Sequence, residues 1–498
     1  MQRPRNDFSL PISLEAAAGR PLYRQVYDWL QRAIVEGRLQ PGQRVPSTRR
    51  LAAELGVSRV PILTAFEQLH AEGYLESTVG AGTRVAASMP EQRLRPLPGR
   101  RTSGAPGPRR ISRIAAASLS APDPLGPPSS LGAFRVSLPA LDAFPARLWA
   151  SLLARHARRP AAALMDYSDP MGHRLFREAL AAYLGAARAV RCDADQVMIV
   201  SGSQQGLQIA ARALLDPGDA VWIEEPGYPG AQRAFAMAGA ELVPVPTDAH
   251  GLDVDAGRRQ RPGARAAYVT PSHQYPLGAT LSATRRMQLL NWAADAGAWI
   301  FEDDYDSEFR FESRPIASLQ SVDDGGRVIY FGTLSKVLFP ALRIGYVVVP
   351  KDLVGAFRAV RTAMDIFPPV LLQAALADFI VEGHFARHIR RMRSLYMARA
   401  THLAAAIRRV CGETLQLAGP LAGMHLTTYL APGFDDQAVT QAAARRGVTA
   451  LPLSSFYLGA AARQGLVLGF GDTDEAAIER GVERLAAVLQ DQKAAPGN

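Results

Sequence analysis

The spacing of hydrophobic residues predicts three helices near the start of the chain. Apolar residues recur at helical spacing over residues 23–35, and a glycine soon ends the pattern. A second helix fits residues 48–55, with a hydroxyl residue at its N-cap. After a Gly-Val turn, Ser58 can cap a third helix that extends to about residue 71. This order predicts one helix followed by a helix-turn-helix.

Two short extended segments follow the third predicted helix. Residues 74–77 and residues 83–85 are joined by Val79–Gly82, whose glycines suit a tight hairpin tip. Together with the helices, this hairpin predicts a winged helix-turn-helix, an α+β domain, in residues 1–86. Such a domain either inserts its third helix into the major groove of DNA or serves as a protein-interaction module. The spacing alone leaves both interpretations open.

The larger part of the chain, residues 131–498, alternates short apolar segments with helical ones. Residues 204–215 and 284–296 have helical spacing. Six apolar runs are predicted as buried strands: 197–200, 220–223, 266–269, 298–301, 328–331 and 345–349. Continuous apolar strands that alternate with helices predict a mainly parallel sheet covered by helices, and hence an α/β domain. Ligands of such domains bind at the carboxyl ends of the strands.

Residues 87–130 separate the two predicted domains. Pro, Arg, Ser, Gly and Ala dominate this segment and its hydrophobic periodicity is weak, so it is predicted to be a flexible linker. Its excess of arginine permits two interpretations. It is either a basic tether that contacts DNA phosphates or a soluble spacer.

Composition narrows the class of protein. A chain of 498 residues is too long for one hydrophobic core, and its net charge of +10 fits a polyanionic partner without distinguishing DNA binding from solubility. The two cysteines, Cys192 and Cys411, exclude a disulfide framework and lack metal-ligand spacing. The N-terminus has no apolar signal core, and no run of residues has the length and apolarity of a membrane span. We therefore expect a cytoplasmic protein with no membrane segment and no bound metal.

One lysine stands out against this arginine-rich background. Of the 56 basic residues only three are lysines, Lys336, Lys351 and Lys493. Lys336 lies in Thr333–Arg343, directly after a predicted strand, with hydroxyl residues before it and an arginine after it. An amine can lose its proton in an apolar setting and form an imine, which a guanidinium cannot do. The alternative is an ordinary lysine at a strand end.

Two further segments at predicted strand ends have candidate chemistry. Ser201–Gly206 opens a helix with small residues, whose free N–H groups suit a phosphate, although a simple capped helix start looks similar. Glu302–Asp306 is either a Mg²⁺ site, a solvated loop, or a carboxylate and a phenol for a ring nitrogen and a ring oxygen. With Lys336, Ser335 and Arg343, these segments match the chemical requirements of pyridoxal phosphate.

The first domain resembles the DNA-binding domain of GntR-type bacterial regulators. The resemblance is carried by Pro46–Arg59, with Gly37–Gly42 before it and Ala71–Leu75 after it. It implies double-stranded DNA as a partner, contacted by four residues: Arg49, Ser58, Arg59 and Gly80. Val60 and Leu63 depart from the polar residues that many members carry on this helix, so the resemblance does not specify a base preference.

Nearly all of residues 131–498 resembles the fold-type I aminotransferases. Six motifs occur in the order seen there: Tyr167–Gly172, Ser201–Gln205, Glu225–Gly230, Thr270–Gly278, Glu302–Phe309 and Thr333–Lys336. Because a GntR-like domain precedes them, the whole chain resembles the MocR-type transcriptional regulators. The resemblance implies a multidomain protein whose second domain has the fold of pyridoxal-phosphate-dependent transferases, with a smaller C-terminal α/β subdomain.

The same resemblance implies a role for each site residue. Lys336 would bind pyridoxal 5'-phosphate as a Schiff base, Asp303 would pair with the pyridine nitrogen, and Tyr305 with the ring hydroxyl. Tyr228 would stack on the ring. Tyr167 would reach the phosphate of the neighbouring subunit, which implies a homodimer. The phosphate would be held by a further set: Gly202, Ser203, Gln204, Thr333, Ser335 and Arg343.

Two positions depart from the aminotransferase pattern. Aminotransferases usually have an asparagine directly before the proline of the fourth motif, where this chain has Tyr275. Near the C-terminus such enzymes use an arginine on an apolar strand to bind the substrate carboxylate. The candidate strand, Gly465–Phe470, has Val467 at that position. The second departure argues against a general amino-acid transaminase.

These observations support three hypotheses about function. The first is a transcriptional regulator that senses an amine, an amino acid or the cofactor itself through an aminotransferase-like domain. The second is a working aminotransferase with an accessory DNA-binding domain. The third is a structural dimerisation module whose cofactor site is inactive. Because Lys336 is needed in the first two, the N-terminal domain and the missing carboxylate arginine favour the regulator.

Overall fold

The chain divides into two compact units, residues 1–110 and residues 111–498, each built around its own hydrophobic residues. The computed structural model describes residues 19–78, 82–87, 109–112, 114–116, 132–158, 161–311 and 316–494. Most of the predicted linker, residues 87–130, lies outside those ranges, as does the tip of the predicted wing with Gly80.

Three helices and an antiparallel pair of strands form the first unit. In chain order they are α1 (Leu22–Val35), α2 (Thr48–Leu55), α3 (Arg59–Ala71), β1 (Leu75–Thr78) and β2 (Gly82–Val85). The predicted winged helix-turn-helix is confirmed, with small shifts at the ends of its elements. Ser58 occupies the N-cap of α3 as predicted, although its side chain makes no capping hydrogen bond.

Helix α1 packs against α3 through an apolar stripe. Val26 and Leu30 of α1 and Ile62 and Leu69 of α3 are fully buried in the same cluster. The left-handed backbone of Gly56 (φ +64°) ends α2 and turns the chain into α3, a conformation that glycine adopts without strain. The core thereby leaves one face of α3 exposed to solvent.

An eight-stranded mixed sheet forms the centre of the second unit. Its strands are β3 (Val197–Val200), β4 (Ala220–Glu225), β5 (Glu241–Asp248), β6 (Gly251–Leu252), β7 (Ala266–Val269), β8 (Trp299–Asp304), β9 (Val328–Thr333) and β10 (Gly345–Val348). The spatial order is β3-β10-β9-β8-β7-β4-β5-β6. Strands β9, β8, β7, β4 and β5 are parallel, whereas β10 is antiparallel to both of its neighbours.

Helices cover both faces of this sheet. They are α4 (Ala146–Arg158), α5 (Arg174–Arg188), α6 (Ser203–Leu214), α7 (Pro229–Met237), α8 (Val254–Gln260), α9 (Ala283–Ala296), α10 (Val354–Asp365) and α11 (Leu371–Val381). Phe301 and Phe331 join Phe235 of α7 in one hydrophobic cluster, while Ile300 joins Leu289 of α9 in another. Neighbouring residues of one strand therefore serve opposite faces, as the two-residue period of a strand requires.

A smaller subdomain completes the C-terminal part. It contains α12 (His384–Val410), β11 (Leu415–Leu417), β12 (His425–Leu430), α13 (Asp436–Arg445), β13 (Leu451–Pro452), β14 (Gly465–Gly469) and α14 (Glu475–Ala494). The four strands pair antiparallel in the order β11-β12-β14-β13. The predicted α/β fold with a smaller C-terminal subdomain is confirmed.

All six strands predicted in the large sheet are present, but two of its features were not predicted. Strand β5 alternates buried and exposed residues and contains Pro244 and Pro246, so it lacks the continuous apolar run of the others. It lies near the sheet edge, where prolines are tolerated. The antiparallel direction of β10 was also not predicted, because an apolar run carries no information about strand direction.

Two features are absent from the described residues. None of their helices combines the length and the apolar composition needed to cross a bilayer. In the same ranges, no three histidine, cysteine, aspartate or glutamate side chains come together in a way that could hold a metal ion.

Candidate functional site

A cavity of about 310 Å³ opens at the carboxyl ends of the parallel strands. Its wall contains Lys336 and nearly every residue that the sequence assigned to a cofactor site. The lining residues are Ser137, Gly202, Ser203, Gln204, Tyr228, Gly230, Arg233, Tyr268, Thr270, Tyr275, Asp303, Tyr305, Thr333, Ser335, Lys336, Pro340 and Arg343. The fold thus brings together residues that are far apart in the sequence.

Lys336 follows β9 and lies inside this cavity. Its Nζ donates a hydrogen bond to the carbonyl of Ser137 at 3.3 Å. Burial lowers the pKa of the Lys336 amine from 10.5 to about 8, and the charges of Asp306 and Asp303 oppose that shift. At neutral pH the amine therefore has a much larger unprotonated, nucleophilic fraction than a surface lysine has.

Asp303 provides a buried carboxylate in the same cavity. Its Oδ2 accepts a hydrogen bond from the Tyr268 hydroxyl at 2.7 Å. Its Oδ1 is buried and has no hydrogen-bond partner among the described residues. Burial raises the pKa of Asp303 to about 7. A buried carboxylate oxygen without a partner is costly, so Oδ1 is suited to a ligand that donates a proton or a hydrogen bond.

Several hydrogen-bond donors line the cavity near the point where β3 leads into α6. Gly202 precedes α6 with φ +86°, and a Cβ at this position would lie 3.2 Å from the Arg343 guanidinium. Arg343 donates to the carbonyl of Ser201 at 2.7 Å. The Ser335 hydroxyl is buried and has no hydrogen-bond partner in the described part of the chain. A helix N-terminus, a guanidinium and a free hydroxyl together suit an anion.

Aromatic side chains form the remaining wall. The Tyr228 hydroxyl accepts a hydrogen bond from Gln204 at 3.3 Å, and its ring meets Tyr275 edge-on at 5.8 Å between centroids. The Tyr305 hydroxyl lies 3.0 Å from Nδ1 of His273, which also contacts the Asp306 carboxylate at 3.0 Å. Burial, followed by the charge of Asp306, raises the pKa of Tyr305 well above its usual value, so the phenol stays protonated.

Tyr167 lies outside this cavity. Its side chain is 81% exposed and contacts Phe367 edge-on, with 5.9 Å between ring centroids. Within a single chain Tyr167 therefore does not line the cavity, and its predicted role in a partner's site stays a prediction.

The sequence did not identify several residues of the cavity. Tyr268 belongs to an apolar strand and was assigned only to the core, yet its hydroxyl contacts Asp303. Ser137 is 199 residues before Lys336, and no local pattern marks it. His273 of the fourth motif contacts the cavity residue Tyr305, and the chain spacing gave no sign of its pairing with Asp306. Contacts between distant segments are set by tertiary packing and leave no periodic signal.

Val467 occupies the strand position that was considered for a carboxylate-binding arginine. It is fully buried on β14, opposite Thr427 of β12, and packs in one apolar cluster with Tyr275 and Phe456. Arg463 lies over the ring of Tyr429, with 4.6 Å between its Cζ and the ring centroid. The cluster that surrounds Val467 is accordingly apolar and aromatic.

The first unit has its own candidate surface. Arg49, near the start of α2, and Ser58 and Arg59, at the start of α3, are all exposed. The Arg59 Nε donates to the Thr48 hydroxyl at 3.1 Å, which joins the start of α3 to the start of α2. Gly80 lies outside the described residues.

Comparison with known proteins gives these two units a class. Residues 22–85 match the family of bacterial regulatory proteins of the gntR type, and residues 150–485 match the aminotransferase class I and II family. The α-aminoadipate aminotransferase LysN of Thermus thermophilus, complexed with N-(5'-phosphopyridoxyl)-L-leucine, is 28% identical with a TM-score of 0.68. The match covers 74% of this chain and 94% of LysN. The fold and cavity thus define a GntR-type DNA-binding domain joined to a pyridoxal-phosphate domain of the aminotransferase type.

Relatives with both domains define the family. The probable rhizopine catabolism regulatory protein MocR of Rhizobium meliloti is 41% identical, and the match covers 96% of each chain. The pyridoxine biosynthesis regulator PdxR of Corynebacterium glutamicum is 30% identical over 94% of this chain and 95% of its own. The chain belongs to the MocR-type family of HTH-type transcriptional regulators with an aminotransferase-like domain. The predicted regulator is confirmed, and these relatives favour it over the alternative hypothesis of an aminotransferase with an accessory DNA-binding domain.

The residues of the cavity fit the cofactor of this class, pyridoxal 5'-phosphate. Oδ1 of Asp303, which has no partner among the described residues, could accept a hydrogen bond from a protonated ring nitrogen. The Ser335 hydroxyl, which also has no partner there, could donate to a phosphate oxygen. The buried amine of Lys336 is a group that can react with the aldehyde of the cofactor. This complementarity rests on atoms for which the described residues provide no partner.

Proposed function

We propose that this regulator binds pyridoxal phosphate covalently at Lys336 and responds to an amine, an amino acid or the cofactor itself. When bound, the cofactor supplies an aldehyde carbon that a primary amine can attack. One observation supports the proposal above all. Around the low-pKa amine of Lys336, the protein buries Asp303 Oδ1 and the Ser335 hydroxyl without hydrogen-bond partners in the described residues.

The proposal gives a role to each of the other residues that were predicted to bind the cofactor, and to Tyr268. Asp303 would accept a hydrogen bond from the ring nitrogen, Tyr305 would contact the ring hydroxyl, and Tyr228 would cover the ring face. Tyr268 would orient Asp303 through the hydrogen bond of 2.7 Å. The phosphate would be held by Gly202, Ser203, Gln204, Thr333, Ser335 and Arg343, with Tyr167 reaching it from the second subunit of a homodimer.

Regulation would follow from a shift between two arrangements of the dimer. An effector that binds one arrangement more tightly raises the population of that arrangement, and the DNA affinity changes with it. Linkage requires that DNA change the affinity for the effector by the same factor. The division into a DNA-binding domain (1–86), a linker (87–130) and a sensing domain (131–498) belongs to this proposal.

The covalent site is tested on the purified full-length chain. We expect added pyridoxal phosphate to give a yellow protein and, after borohydride reduction, a mass increase on the peptide with Lys336. The variant Lys336→Ala should lose both signals while remaining folded by circular dichroism. The variant Lys351→Ala changes an exposed lysine that pairs with Asp193 at 2.9 Å and should keep both. A colourless wild type, or a label on Lys351 instead, contradicts the proposal.

The DNA contacts are tested separately. Arg59→Ala removes an exposed guanidinium at the start of α3 and should weaken operator binding, because arginine at that place reaches phosphates or base edges. We expect the absorbance of the bound cofactor to stay unchanged. The comparison is Arg84→Ala, whose DNA affinity is measured in the same way. Arg84 is an exposed residue of β2 in the same unit, and it donates to the carbonyl of Gly42. Equal DNA affinity of Arg59→Ala and wild type would remove the assigned contact.

Turnover distinguishes the regulator from a working aminotransferase. The buried Val467 leaves no cation at the position considered for binding a substrate carboxylate. We therefore expect no repeated formation of keto acid from amino acids. Sustained multiple turnover with any common amino acid would favour the enzyme instead.

A further inference from the structure

The exposed face of α3 is unusual in its chemistry. Four exposed residues share it at spacings of three, four and seven: Val60, Leu63, Thr64 and Glu67. The opposite face holds the buried residues Ile62, Ala65, Phe66 and Leu69. The first half of the exposed face is therefore uncharged, although Arg59 lies immediately before it.

Val60 and Leu63 form an apolar pair on this face. The side chain of Val60 is 70% exposed and that of Leu63 41%, and neither belongs to the core cluster of the unit. Residues three apart on a helix are neighbours, so the two side chains form one small patch. A single exposed apolar residue is ordinary. Two adjacent ones at the N-terminal end of the helix that should enter DNA define a surface with its own chemistry.

Two polar groups beside this patch have partners within the same unit. The Thr64 hydroxyl donates to the carbonyl of Val60 at 3.2 Å, and the Arg59 Nε donates to the Thr48 hydroxyl at 3.1 Å. The patch itself offers no hydrogen bond to a base edge. Guanine, adenine and cytosine are recognised in the major groove through hydrogen bonds. The 5-methyl group of thymine is the apolar group that an unmodified groove presents to a protein.

We infer that Val60 and Leu63 contact the 5-methyl groups of thymines in each operator half-site, and so select thymine at those positions. This inference rests on the proposed entry of α3 into the major groove. Beyond that proposal, the inference specifies which base, thymine, the major groove must contain at the contacted positions. Arg59 and Arg49 would position the helix on the DNA, and the apolar patch would discriminate between bases.

Uracil provides the probe, because deoxyuridine differs from thymidine only by the missing 5-methyl group. A duplex is first selected by the full-length protein from a random library. Each thymine of that duplex is then replaced by uracil, one at a time, and Kd is measured. Removal of one buried methyl group should weaken binding about fourfold, given about 0.8 kcal/mol for each buried carbon of this kind. We expect such a loss at one or two thymines in each half-site.

Alanine variants connect the sensitive thymine to the patch. In Val60→Ala or Leu63→Ala, replacement by uracil at the matching position should cost much less, because the methyl group has lost its contact. Val35→Ala is the matched control. Val35 is 51% exposed at the end of α1 in the same unit, and its replacement should leave the uracil profile unchanged.

The possible results separate this inference from the function on which it rests. If no duplex is selected, the proposed DNA binding fails first. If the wild type binds but tolerates uracil everywhere, binding stands and thymine recognition by this patch is wrong. A uracil penalty of unchanged size in both Val60→Ala and Leu63→Ala also overturns the inference, since the methyl contact would then belong to another residue.

Discussion

At the scale of single residues, burial sets the chemistry of the cavity. It lowers the pKa of Lys336 to about 8 and raises that of Asp303 to about 7. Both shifts have the same cause, because a low-dielectric environment disfavours charge of either sign. The amine is thereby available as a nucleophile near neutral pH, and a proton-donating ligand atom at Asp303 would restore the favourable charged form of that carboxylate.

The pH dependence of cofactor binding follows from the Lys336 pKa. Below about pH 8 most of the amine is protonated, so the rate of adduct formation at a fixed cofactor concentration should rise about tenfold per pH unit and level off above pH 8. Stopped-flow absorbance measures this profile. Asp306→Asn removes a negative charge that holds the lysine pKa up, so its midpoint should lie at lower pH. A midpoint near 10.5, the ordinary lysine value, would contradict the assigned burial effect.

At the scale of elements, the polar residues of strand β8 and of the loop after it face different surroundings. Asp303 and Tyr305 line the cavity, whereas Glu302 accepts backbone N–H bonds from Leu319 and Gln320 on the other side. The alternation of a strand predicts this division into faces. It does not predict partners, and Asp304 pairs with an arginine 116 residues earlier.

The pair of Arg188 and Asp304 should be a main stabilising contact of this region. Its atoms are 2.7 Å apart and both side chains are almost fully buried, at 2% and 1% exposure. Asp304→Asn leaves the buried guanidinium without its counter-ion, which should lower the free energy of unfolding by about 3–5 kcal/mol. Urea denaturation followed by fluorescence measures this loss.

A matched exposed pair provides the control for that experiment. Arg191 and Asp324 approach to 3.1 Å but are 53% and 92% exposed. Asp324→Asn should change stability by less than about 1 kcal/mol, because solvent screens such pairs. Similar losses in the two variants would indicate that burial does not set the strength of the Arg188–Asp304 contact.

The sequence could predict residues that belong to local motifs, but not contacts that form only when distant segments pack together. Motifs at strand ends pointed to Lys336 and to the segment Glu302–Asp306, because a parallel sheet brings its carboxyl ends to one edge. Within that segment, the resemblance to aminotransferases implied the roles of Asp303 and Tyr305. Ser137 and Tyr268 escaped prediction for opposite reasons. Ser137 reaches Lys336 from 199 residues away, and Tyr268 lies in a strand that resembles pure core. Strand order, the antiparallel direction of β10 and the pairing of Arg188 are likewise properties of the packed domain.

At the scale of the whole molecule, the proposed dimer makes the cofactor site a shared structure. Tyr167 is 81% exposed and lies outside the cavity of its own chain. If it reaches the phosphate of the partner, each site combines Lys336 of one subunit with Tyr167 of the other. Tyr167→Phe removes only the hydroxyl and should lower cofactor affinity, while Lys336→Ala should abolish the covalent adduct.

A mixture of these two variants tests the shared site directly. In a heterodimer, the Tyr167→Phe subunit keeps its Lys336 and receives an intact Tyr167 from the Lys336→Ala subunit, so one complete site forms. After the variants are unfolded and refolded together, roughly a quarter of all sites should hold the cofactor tightly through dialysis, since half of the dimers are mixed and half of their sites are complete. If Tyr167 acted within its own chain, no complete site would form. The shared arrangement would be excluded if the mixture retained no more cofactor than the average of the two variants measured separately.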